Sequence, residues 1–170
     1  MKKQIGSIIA IIVAVLIVCL LVWRIWPQSS ATVISISKDS IASFSVSGMF
    51  QNFETGNCDF YTINSSSPIC NEPKEVMEIL AASKYQQDFR NLLLWGVDGV
   101  SADKNYDGRT VTLCLYYNSE GSKYIEFQFL SKSIVVVRTA EQANMRIYHL
   151  INTTTFDKLV EYVQTNGVKQ

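Results

Sequence analysis

Residues 111–137, VTLCLYYNSEGSKYIEFQFLSKSIVVV, decide the fold. Val111 to Tyr117 alternates in polarity, Asn118-Ser-Glu-Gly121 is a turn sequence, and Tyr124 to Leu130 alternates again with Ile125, Phe127 and Phe129 on one side. Ser131-Lys132 then turns the chain into Ile134-Val-Val-Val137. A period of two sends successive side chains to opposite faces of a pleated strand, and turns this short join strands that pair antiparallel. Three consecutive strands of one antiparallel sheet are expected here, with one face buried.

The flanks extend the pattern. Thr139 to Asn144 connects to a strand at Met145 to Leu150, after which Thr154 or Thr155 caps a helix. Its Phe156, Leu159, Val160 and Val163 recur at i, i+3, i+4 and i+7 before Gly167 ends it. Upstream, Gly96 to Gly108 is rich in turn formers, while Lys84 to Trp95 fits either a helix or, from Leu92, a buried strand. Asn71 is placed to cap a helix ending near Ser83, with Pro73 in its first turn and Val76, Ile79, Leu80 and Ser83 on one face. Val33 to Ser37 and Ile41 to Gly48 alternate, Phe44 and Val46 opposing Ser43 and Ser45. Met49 to Ile69 reads as loop around a short strand, Asp59 to Ile63. The order predicts an α+β domain with one mostly antiparallel sheet and about two helices packed on one of its faces.

Ahead of this domain, Ile5 to Trp23 (IGSIIAIIVAVLIVCLLVW) is an uncharged apolar run of 19 residues. As an α-helix it is about 28 Å long, close to the hydrocarbon thickness of a bilayer. It is read as one transmembrane helix. Lys2 and Lys3 precede it and Arg24 alone follows closely, so the positive-inside bias puts the N-terminus in the cytoplasm. Trp23 and Trp26 suit the headgroup layer, and Pro27 stops the helix. Cleavage after Ala31 is the rival reading, but the run exceeds the ~7–15 residues of a signal h-region. The organisation expected is a cytoplasmic start and anchor at 1–27, a short polar linker at 28–32, and an extracytoplasmic domain at 33–170.

Beyond Pro27 there are 12 basic and 15 acidic residues, a net of −3 that gives no support for nucleic-acid binding. Cys19 lies in the span, and Cys58, Cys70 and Cys114 lie outside, where disulfides persist. Cys58 and Cys70 flank a polar Ser/Pro segment and are the expected disulfide; Cys114, on a strand, is expected to be a free thiol. Three outside Cys without CxxC spacing and one imidazole, His149, do not make a metal site, and no cofactor is expected. Asp98, Asp103, Asn105 and Asp107 lack the register and closing Glu of an EF-hand. His149 is expected to be a packed or surface residue and Glu120 and Glu126 to be solvated, for no nucleophile motif accompanies them.

The layout of a Lys-rich start, an N-terminal anchor, paired Ile/Ser strands, the PKEVMEIL helix, the YDGRTVTLCLYY and KYIEFQF strands and the FDKLVEYV helix resembles small membrane-anchored or lipoprotein domains of Gram-positive bacteria. The resemblance implies an extracytoplasmic α+β domain without an assigned activity. Val18, standing where a lipobox has a small residue before Cys19, departs from the lipoprotein members. The function expected is a single-pass, membrane-anchored binding or interaction domain with an envelope protein or peptide as partner; the alternative is a cell-envelope hydrolase with an unfamiliar site.

Overall fold

The structure is a computed structural model describing residues 2–34, 41–64, 73–88, 106–117, 120–140 and 142–170, and within them the side chains of all but residues 2–5, 24, 34 and 142–144. A long helix, α1 (Lys2–Ile25), is followed by β1 (Gln28–Ser29) and a one-turn helix, α2 (Ser30–Ile34). Then come β2 (Ser43–Gln51), β3 (Cys58–Asn64), α3 (Lys74–Ala81), β4 (Lys84–Gln87), β5 (Arg109–Tyr116), β6 (Tyr124–Phe129), β7 (Ile134–Thr139), β8 (Gln142–Leu150), α4 (Thr154–Asn166) and β9 (Val168–Lys169). Among the described residues the strands form one nine-stranded sheet in the order β1-β4-β8-β7-β6-β5-β2-β3-β9, antiparallel at every pairing. This is the α+β architecture that the order of strands and helices predicts.

Registers such as Leu113↔Phe127 and Phe127↔Val137 align the apolar positions of successive strands on one face. There Phe44, Val46, Ile63, Val111, Leu113, Leu115, Phe127 and Phe129 pack against Val76 and Leu80 of α3 and against Phe156, Leu159 and Val163 of α4. Each such side chain, fully buried, contributes about 1.5–3 kcal/mol of transfer free energy. Gly48 lets α4 come close: a Cβ there would lie 2.8 Å from Cγ1 of Val163 and 2.6 Å from Cζ of Phe50. On the other face Ile134, Val136 and Ile147 form a smaller buried cluster with Leu130 and Met145 packed on it.

Four segments depart from expectation. In Thr139 to Asn144, read as a connection, Thr139 ends β7 and Gln142 already opens β8 opposite it. Val33 belongs to α2 instead of opening a strand, because one helical turn puts Ser30 (5 % exposed) and Val33, three residues apart, against the domain. Residues 28–32, expected to be a linker, are occupied by β1 and most of α2. Met49 to Gln51 continue β2, and β3 runs from Cys58 to Asn64, so the stretch expected to be mostly loop is a hairpin within the sheet. Its turn is closed by Asn52, whose Oδ1 accepts the Glu54 and Thr55 N–H groups (2.9 and 3.2 Å), and by Gly56 at φ +71°. Of the ambiguous segment, Lys84–Gln87 is β4; residues 89–105 lie outside the described residues, as do 35–40.

Candidate functional site at the junction of the apolar helix and the sheet

Within α1, Gly6 to Trp23 has a mean hydropathy of 3.0, and none of it is buried against the rest of the chain. This one helix is long and apolar enough to cross a membrane. At its end Trp23 and Trp26 stand 75 % and 64 % exposed. Only Trp26 and Pro27 separate α1 from β1, which joins the sheet edge through Gln28↔Tyr85 and Ser29↔Lys84. Ser29 Oγ accepts the Thr32 N–H at 3.4 Å and lies 3.0 Å from its hydroxyl, fastening the turn into α2.

The strand that receives β1 is itself held from three sides. Tyr85 is fully buried, and its hydroxyl donates to the Leu80 carbonyl of α3 at 3.0 Å. Burial pushes its phenol well above the usual range, so it remains a neutral donor. Ser83 Oγ accepts the Asn152 N–H at 3.2 Å, binding the α3–β4 turn to the β8–α4 turn. At the far end of β4, His149 Nε2 lies 2.8 Å from Asp88 Oδ2, with Asp88 almost buried and His149 half-exposed. The pair ties the residue that follows β4 to β8.

Where α1, α2, β4 and β8 converge there is a cleft of about 220 Å³, lined by Trp23, Gln28, Thr32, Val33, Gln87, Arg146 and Tyr148. Its polar lining consists of two amides, a hydroxyl, a phenol, an indole and a guanidinium, with no carboxylate. A furrow of about 410 Å³ lined by Val18, Cys19, Val22, Trp23 and Trp26 runs along α1 and shares Trp23 with the cleft.

A second polar cluster lies where β5 meets α4. Arg109 donates from Nε to Asp107 Oδ2 at 3.0 Å and from Nη2 to Asp157 Oδ1 at 3.2 Å, with Lys132 Nζ 3.3 Å from that same oxygen. The guanidinium sits 5.3 Å from the Phe156 ring centre. Partial burial opposes ionisation of Asp107, but hydrogen bonds from Arg109 and its charge, with Lys132 behind, outweigh it and hold the carboxyl below its ordinary value. Asp157, in the first turn of α4, also meets the positive end of the helix dipole. These charges compensate one another, and the cluster reads as a clamp between α4 and β5.

The expected transmembrane residues Ile5 to Trp23 all fall inside α1. Of the expected Cys58–Cys70 pair, Cys58 is a free, exposed thiol and Cys70 lies outside the described residues. Cys58 opens β3 opposite Gln51, and the Ser/Pro segment that the bond was expected to staple, residues 65–68, lies outside the described residues. Cys114 is a free thiol on β5, 3.8 Å from Glu126 Oε2, and burial, with the Glu126 charge, pushes its pKa up. Glu120 is exposed, Asp107 pairs with Arg109, and Asp98, Asp103 and Asn105 lie outside the described residues. Sequence reading missed Gln87, Arg146 and Tyr148. The segment Lys84–Gln87 gives no polarity period in the sequence, and its alternation is one of burial in the folded strand.

Comparison with known proteins brings no relative: no family model matches the chain, and neither do the curated proteins or the solved structures searched.

Proposed function

We propose that this chain is a single-pass protein of the cell membrane, its N-terminus cytoplasmic, whose sheet domain acts outside as a binding or interaction module for an envelope protein or peptide. The observation that carries the reading is α1: a helix of that hydropathy with no face packed on the domain has no favourable place in water. Lys2 and Lys3 against Arg24 support the orientation. Exposed aromatics beyond the anchor, Phe53 at 61 % and Phe60 at 47 %, support an interaction surface, since such rings supply large contact area when covered. The test is labelling of intact cells with a membrane-impermeant thiol reagent, using Ser122→Cys in a Cys58→Ser, Cys70→Ser background. Residue 122 is exposed, and labelling without lysis is the expected result. Labelling only after lysis refutes the orientation, and release of the chain by alkaline carbonate refutes the anchor.

A further inference from the structure

We infer that the cleft at the junction is a binding site for the phosphate of one membrane lipid headgroup, with the furrow along α1 receiving an acyl chain; this rests on the anchor reading above. The chemistry of the lining selects an anion. Arg146 brings donors and no acceptor, is exposed, and makes no ion pair among the described residues. Gln87, 7 % exposed, turns what accessibility it has toward the cleft, and no hydrogen bond of its amide is found among the described residues. Tyr148 and Thr32 add hydroxyls, and no carboxylate is present to repel a phosphate.

Position selects a lipid over a soluble phosphate. Trp23 ends the apolar window and belongs to both cavities, while the other six residues of the cleft lie beyond Pro27. The cleft therefore opens at the level where hydrocarbon gives way to headgroups, and the apolar furrow of Val18, Cys19, Val22, Trp23 and Trp26 continues from it toward the bilayer centre. A polar head and an apolar tail are required in that order along α1. At about 220 Å³ the cleft suits a phosphodiester headgroup better than a large glycan.

The test uses the full chain in nanodiscs of equimolar phosphatidylglycerol and phosphatidylcholine, with native mass spectrometry counting the lipid that stays bound on release. One retained phosphatidylglycerol is expected, falling about tenfold in Arg146→Gln, since a charge-assisted hydrogen bond is lost. Arg146→Lys should keep part of the retention and Lys158→Gln, a remote charge on α4, should retain lipid as wild type does; an equal fall in Lys158→Gln overturns the site. Equal retention in wild type and Arg146→Gln overturns the site. Millimolar inorganic phosphate should leave the retained lipid in place; if it strips the lipid, the ligand is free phosphate and the lipid assignment falls. A parallel carbonate wash separates the two readings: a chain that washes off overturns both, whereas a chain that stays with unaltered lipid in Arg146→Gln overturns the headgroup site alone.

Discussion

Gly48→Ala tests how α4 is seated. The new methyl would stand 2.8 Å from Cγ1 of Val163 and 2.6 Å from Cζ of Phe50, while β2 is fixed on both sides by its ladders to β3 and β5. The Phe50 ring is only partly buried and swings aside at small cost, but Val163 is fully buried and rides on α4. The helix must therefore lift, an overpacking cost of about 1–3 kcal/mol. Removing glycine's backbone freedom from the unfolded chain returns about 0.4–1 kcal/mol of this. A net loss of about 1–2 kcal/mol is expected. Val163→Ala alone deletes two buried methyl groups and costs about 2 kcal/mol, cavity included. In the double variant the added methyl occupies the vacated space, so the two losses should not sum; a coupling of about 1–2 kcal/mol is expected. Urea unfolding of the full chain in detergent, followed by circular dichroism, measures all four corners of the cycle. Additivity within about 0.5 kcal/mol refutes the claim that these two positions share one space.

Asp107 supplies a pH dependence. Its carboxyl is held below the ordinary value in the folded state, so its contribution is complete above the unfolded pKa and is lost as pH falls through the folded one. The stability gap between wild type and Asp107→Asn should stay constant above about pH 5 and close below about pH 4, read as urea midpoints; parallel curves reject the clamp. The thiols should differ in reactivity. In a Cys70→Ser background, Cys58→Ser should abolish the fast phase of maleimide labelling and Cys114→Ser should not, because Cys114 is partly buried with its pKa raised.

Strands β5 to β8 and helix α4 were legible because their pattern is long, periodic and punctuated: Ile125, Phe127 and Phe129 turn inward one after another, and Gly121 at φ +68° sits in the turn that precedes them. The chain between Trp26 and Ile34 was not. Two residues of strand and five of helix carry no period of their own, and Gln28 and Ser29 become a strand only because Tyr85 and Lys84 lie opposite. Met49 to Gln51 were read as loop for a related reason, since Asn52 and Gly56 turn the chain back so that β2 and β3 pair across them. The cleft escaped detection because Gln87 and Arg146 are far apart in the chain and meet only through the β4–β8 pairing. His149 was read as a packed or surface residue, and only the folded chain reveals its partner 61 positions away.

The two-pair joint between β1 and β4 also determines how the molecule answers to force. If α1 is held in a membrane, as proposed, a load drawn outward on the domain acts across that joint. If the load peels β1 sideways from its neighbour, hydrogen bonds break one after another; if it drags β1 lengthwise, they must break together, which takes a larger force. Because β1 is short and follows α1 after two residues, the joint would yield first and lengthen the connection by only a few residues, at most about 3.5 Å each. The larger sheet would be spared, and the domain would keep its shape at the end of a slightly longer tether.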